Sequence, residues 1–189
     1  MGTSDSVEFI DFTNAADFES WLESHNEQRE EVWLRIAKKG SQNVSITIPE
    51  ALDVALCYGW IDSHRKGLNE EYYLQRYSPR RSKSPWSMIN VRKSEKLIET
   101  GRMKAPGYAE ISLAQADGRW DAAYESQKSA TIPPDLADAL EQHEQAKQAF
   151  SQLDKTAQYA VFLPILKATT TKGRTIQLQK AIAKLEAAR

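Results

Sequence analysis

Over the first eighty positions, apolar residues at helical spacing give way to dense β-branched and aromatic runs, and the breaks between them mark predicted element boundaries. Phe18, Trp21 and Leu22 recur at i, i+3 and i+4 behind the cap-forming Thr13 and Asn14, which predicts a helix ending near His25-Asn26. A short apolar patch, residues 9–12, precedes it. From Glu31 to Lys38, Val32, Trp33, Leu34 and Ile36 give the β-branched and aromatic density of a strand, broken at Lys39-Gly40-Ser41. Residues 45–48 read as a second short extended piece. Thr47 with Glu50 three residues later is a capping-box pattern that places Pro49 at a helix start. That helix is expected to run to Tyr58 and stop at Gly59.

Residues 60–66 and 72–77 then read as two strands joined through Gly67-Leu68-Asn69-Glu70, an antiparallel hairpin. Residues 78–85 form a basic loop punctuated by Pro and Ser. Beyond it the pattern is helical: 86–100 with Ser84 as a candidate N-cap, 106–116, 133–140, 143–152, 154–168 and 173–187. The reading is an α+β protein, with a small antiparallel sheet from the N-terminal 80 residues and a mainly helical C-terminal half. Ser129 to Pro134 suggests a division into an α+β domain, 1–130, and a C-terminal helical subdomain, 131–189, packed on it.

Composition narrows the class without naming a function. At 189 residues, 41% hydrophobic and 27% charged, the chain is an ordinary globular protein large enough to bury its own core. Its one cysteine, Cys57, sits between apolar neighbours and is expected to be a buried thiol in a reducing compartment. No apolar run reaches the roughly 18 residues of a membrane span, and the acidic start at Asp5, Glu8 and Asp11 lacks the basic region of a signal peptide. Cytoplasmic location without membrane insertion is the expectation.

The net charge of −1 hides an uneven distribution. Residues 1–58 carry 4 basic and 11 acidic side chains, residues 59–104 carry 11 and 5, and the remainder 10 and 10. An anionic partner would be drawn to the middle segment. The competing reading is that this segment merely balances the acidic one within the fold.

Chemistry is most concentrated between Trp60 and Asn90. Arg76, Arg80 and Arg81 supply guanidinium forks for phosphate or carboxylate, Tyr77 and Trp86 can stack on planar groups, and a helix start near Trp86 would add free N–H groups. Trp60, Asp62, Arg76, Tyr77, Arg80, Arg81, Trp86 and Asn90 are therefore the candidate ligand-binding set. Asp62 and His64, at i and i+2 of a strand, would share a face and could work as a general acid–base pair. Cys57 with His64 as its base is a weaker nucleophile candidate than a plain core cysteine. Three scattered histidines and one cysteine offer no metal set, and neither glycine-rich phosphate loop is present, so no metal and no cofactor is expected.

The strings 55–63 (Ala-Leu-Cys-Tyr-Gly-Trp-Ile-Asp-Ser), 77–90 (Tyr77-Ser-Pro-Arg-Arg through Trp86-Ser-Met-Ile-Asn90), Gly101-Arg102-Met103 and 117–124 (Asp-Gly-Arg-Trp-Asp-Ala-Ala-Tyr) resemble the bacteriocin-protection, YdeI/OmpD-associated family, from about Trp21 to the last helix. Two departures stand out: Pro85 where the family has Asn before the Trp, and Gly173-Arg174-Thr175 where it has Thr before Arg, with Gln177 in the place of a later Arg. The resemblance implies a link to bacteriocin or antimicrobial-peptide tolerance and brings no reaction, cofactor or catalytic residue. The leading expectation is a non-catalytic cytoplasmic protein that binds a small anionic ligand or a protein partner. An enzyme using Asp62 and His64 beside an Arg80/Arg81 clamp comes second. Nucleic-acid binding comes third, because a pI near 6.3 falls short of the basic character such domains have.

Overall fold

A computed structural model describes residues 7–187, so Asp5 lies outside the described residues. Along them run α1 (Ala15–His25), β1 (Val32–Ala37), α2 (Ile48–Cys57), β2 (Trp60–Gly67) and β3 (Tyr72–Pro79). There follow α3 (Met88–Glu99), α4 (Ala105–Ala116), α5 (Pro134–Gln142), α6 (Glu144–Ser151), α7 (Lys155–Leu166) and α8 (Thr171–Glu186). The α+β class read from the sequence is the observed one.

Local chemistry explains the boundaries. Asn14 caps α1 by accepting the Asp17 N–H at 3.0 Å, and Thr47 and Glu50 close a full capping box on α2. Gly59 takes φ +72°, the left-handed conformation that ends a helix and turns the chain directly into β2. The extended piece expected over 45–48 forms no strand. Ser45 Oγ instead accepts the Ala37 N–H, the Ile46 N–H donates to Phe12 O at 2.8 Å, and Ile48 is already helical because the box closes on Thr47. The helix expected from Trp86 begins at Met88, with Ser87 rather than Ser84 at its start: Ser87 Oγ accepts the Asn90 N–H at 3.2 Å.

The strands form one antiparallel sheet in the order β1-β3-β2. Val32, Leu34 and Ile36 alternate inward along β1, as period-two patterning requires. The outer edge of β1 is covered by the segment at Ile10, whose N–H donates to Trp33 O at 2.8 Å while its carbonyl accepts from Arg35. β2 is the other edge, and its residues from Ser63 to Gly67 are exposed. Exposed cations on such an edge discourage uncontrolled strand pairing.

The chain divides into two compact units. The first comprises the residues up to Ser82 with Arg92–Leu113; the second comprises Lys83–Val91 with those from Ala114 onward. In the first, Phe18, Leu22, Leu34, Ile46, Val54, Trp60 and Tyr77 build the core under the sheet, with Phe18 5.7 Å from Tyr77 and Trp21 edge-on to Trp60 at 6.2 Å. In the second, α5 to α8 bury Leu136, Leu140, Phe150, Phe162, Ile165, Ile182 and Leu185 together. Among the described residues no helix is long and apolar enough to cross a membrane.

Candidate functional site

The β2–β3 hairpin is not a regular ladder. Asp62 pairs with Tyr77 and Arg65 with Gln75, so Ser63 and His64 together stand opposite Arg76 alone. This extra residue is a β-bulge, and it breaks the alternation that would have placed Asp62 and His64 on one face. Buried Gln75 secures the bulge. Its Nε2 donates to His64 O at 3.2 Å and to Arg76 O at 3.4 Å, while its Oε1 accepts from Arg65 Nε at 3.1 Å. Arg65 also lies 4.5 Å over the ring of Tyr73.

The candidate residues in the first unit separate by burial. Trp60 and Tyr77, at 1% and 0% exposure, are core side chains and offer no surface to a ligand. The Tyr77 hydroxyl has no hydrogen-bond partner among the described residues, and burial pushes its pKa well up. Burial likewise raises Asp62, with the Arg80 and Arg65 guanidinium groups pulling it partly back. Arg80 is itself buried at 6% exposure, its N–H donating to Gly59 O, whereas Arg81 is exposed. Arg76 is engaged by Glu31: its Nε donates to Oε2 at 2.7 Å, and the guanidinium holds the Glu31 carboxyl below its ordinary range. Trp33 Nε1 donates to the other Glu31 oxygen at 3.0 Å.

His64 is exposed, and no hydrogen bond joins it to Asp62 among the described residues. The orienting contact of an acid–base pair is therefore missing from this geometry. Cys57 is buried, and desolvation pushes its thiol up to about 11, the reverse of what a nucleophile needs. Among the described residues no group of three or more His, Cys, Asp and Glu comes together to hold a metal.

Trp86 and Asn90 lie in the second unit. Trp86 is buried, 4.8 Å from Trp120, and the strand-like bridge around Ser87 uses the Met88 N–H on Tyr124 O. With Ser87 Oγ on the Asn90 N–H, two of the α3 N-terminal donors already have acceptors, so the free anion-binding N-terminus expected there is not formed. Buried Arg119 donates to both Asp117 oxygens at 2.8 Å and to Ser84 O at 2.9 Å, anchoring the basic loop. Sequence reading missed Glu31, Gln75 and Arg119. Their roles depend on partners up to 45 residues away, and only a polar residue at an inward strand position hinted at Gln75.

Arg174, in the string that departs from the family pattern, has a structural role. It grips both oxygens of Asp135 at 2.7 and 2.8 Å and donates to Ile165 O, tying α8 to α5 and to the end of α7. That hydrogen bonding holds the Asp135 carboxyl below its usual range. The pair therefore contributes stability above the ordinary aspartate pKa and loses it as pH falls through the lowered one. Arg174→Met is expected to cost about 1 kcal/mol near neutrality, since both groups are partly solvated, with the deficit shrinking in acid. A pH series of urea denaturations checks it.

Two family models match separate stretches of the chain. Residues 129–188 match the family described as bacteriocin-protection, YdeI or OmpD-associated, and residues 10–110 match a domain of unknown function, DUF8412. The strings at 55–63, 77–90 and 101–103 fall inside the second of these matches and 117–124 inside neither, so the family likeness rests on α5 to α8 instead. No curated protein and no solved structure matches the chain. The chain belongs to the DUF8412 family, which spans more than half of it, and its helical C-terminal segment matches the bacteriocin-protection, YdeI or OmpD-associated family.

Proposed function

We propose that this is a non-catalytic cytoplasmic binding protein that takes an anionic partner on the exposed basic residues of β2 and the loop after β3, and that this binding supports tolerance of bacteriocins. The observation that carries the reading is a contrast among cations. Arg35, Arg76, Arg119 and Arg174 are each held by a carboxylate, whereas exposed Arg65, Lys66 and Arg81 make no ion pair with any described residue. Cations already paired have little left for a ligand; Lys66 and Arg81 keep their charge available, and Arg65, with its Nε on Gln75 and its plane over Tyr73, keeps its terminal nitrogens. The tolerance itself comes from the C-terminal family match. The enzymatic alternative has less support, since the bulge separates Asp62 from His64 and the groups acting on Asp62 are Arg80 and Arg65.

A fluorescent oligo-glutamate peptide is the probe. Replacing Arg65, Lys66 and Arg81 together by Gln is expected to weaken its binding about tenfold or more, since each charge-assisted contact contributes about 1.5–3 kcal/mol. Unchanged binding overturns the reading. A duplex DNA that binds more tightly than the peptide, with affinity falling about 10³-fold or more between low and moderate salt, would make nucleic acid the partner instead.

A further inference from the structure

The second unit contains a groove that no part of the reading above uses. The segment before α5 and the outer side of α7 enclose about 690 Å³ between them. Its wall is apolar and partly aromatic: Phe162 at the base, Tyr159 edge-on to it with ring centroids 5.4 Å apart, and Ile132 left 41% exposed on the facing segment. Lys128 and Lys155 stand among the lining residues, with no ion pair to any described residue, and no carboxylate lines the groove. Gln158 adds a neutral amide.

The groove is held open by bonds of its own. Gln127 Nε2 donates to Thr156 Oγ1 at 2.8 Å and the Tyr159 hydroxyl to Glu125 O at 3.0 Å, so the segment is pinned to α7 at two points. Within the segment, the Ala130 N–H donates to Ser126 O at 2.8 Å and Ser129 Oγ to Glu125 Oε2 at 2.7 Å. A ligand entering therefore meets a preformed cleft and is spared much of the ordering cost that a flexible loop would impose.

Charge placement adds a second argument. Lys155 is the first residue of α7, directly after Asp154, whose carboxylate caps the helix by accepting the Ala157 N–H at 2.7 Å and does not line the groove. An apolar aromatic cleft with two uncompensated cations and no carboxylate is suited to one class of ligand.

We infer that the groove between residues 127–132 and α7 binds a small amphipathic anion, with its apolar body against Ile132, Tyr159 and Phe162 and its acidic head on Lys128 and Lys155. The site lies in a different unit from the basic strand proposed above and stands or falls independently of it.

Anilinonaphthalene sulfonate, an aromatic body with one anionic head, is the probe, and its uncharged parent N-phenylnaphthylamine is the control. The full-length protein is expected to bind the sulfonate saturably, one per chain. Lys128→Gln with Lys155→Gln is expected to weaken the sulfonate about tenfold or more while leaving N-phenylnaphthylamine within about twofold, and Lys172→Gln with Lys180→Gln, exposed on α8 and outside the groove lining, is expected to leave both unchanged. Displacement by octanoate or by naphthoate then tells an alkyl ligand from an aryl one. Non-saturable binding, equal loss of both probes in the groove variant, or loss in the α8 control variant would each overturn the assignment. Circular dichroism of both variants confirms that the comparison is between folded proteins.

Discussion

Gly107→Ala is expected to lower folding stability by about 3 kcal/mol, at the upper end of what overpacking costs. A Cβ built at this position would lie 2.4 Å from Cys57 O, 2.8 Å from Leu56 O and 2.4 Å from the Met103 sulfur. The sulfur can swing away. The two carbonyls cannot, because they are the backbone end of α2, and Cys57 O also accepts the Lys104 N–H at 3.2 Å. Alanine would otherwise favour a helix interior by roughly 0.5–1 kcal/mol over glycine, so a net loss can only come from the collision. Gly67→Ala is the control, since its Cβ would meet nothing within 4 Å; it is expected to change stability by less than about 0.5 kcal/mol. Urea denaturation of the three proteins decides the matter, and a Gly107→Ala cost under about 1 kcal/mol would mean that α2 and α4 separate easily.

Arg80→Met is expected to cost about 2 kcal/mol, the scale for taking a charged partner away from a partly desolvated group, while Arg81→Met changes stability by less than about 0.5 kcal/mol. Sequence treats these neighbours as one anion clamp; burial separates them, with Arg80 only 6% exposed and Arg81 in solvent. Arg80 is one of two guanidinium groups that offset the desolvation of Asp62. Without it the raised Asp62 pKa rises further. A carboxyl whose folded pKa lies above its unfolded value contributes stability below the unfolded pKa and loses it as pH rises through the folded one. The deficit of Arg80→Met is therefore expected to be larger at neutral pH than near pH 3. An equal deficit at both values would assign Arg80 to packing alone. Thermal melts of both variants with and without phosphate add the functional arm: loss of anion stabilisation in Arg81→Met, with an unchanged melt in its absence, supports a recognition role for that residue.

The fate of the candidate residues shows where reading by proximity in sequence fails. Eight of them lie within thirty-one positions, Trp60 to Asn90, yet Trp60 and Tyr77 are core, Arg76 answers to Glu31, and Trp86 packs on Trp120. Aromatic and basic residues cluster along a hairpin for two reasons, packing inward and solvation outward, and their types alone do not tell these apart. The exposed residues Arg65, Lys66 and Arg81 are identified by making no ion pair with a described carboxylate, although the Arg65 charge still acts on Asp62. That property belongs to the folded chain.

Local interactions settle what lies within a few residues along the chain. Asn14 on α1, the Thr47–Glu50 box on α2, Gly59 as a stop, the strand at β1 and the hairpin were legible because capping, turn and propensity rules act over a few neighbouring positions. So was the α+β class, which follows from the order of those elements. The bulge at Ser63-His64 was not, because it depends on Gln75, 11 residues beyond His64, turning inward to take up the freed backbone groups. Nor was the pairing of Arg174 with Asp135 across 39 residues, or the groove beside α7, whose walls come from separate segments. Burial and charge pairing are set by which distant segments meet, so the tertiary structure alone decided which of the basic residues have a carboxylate partner and which do not.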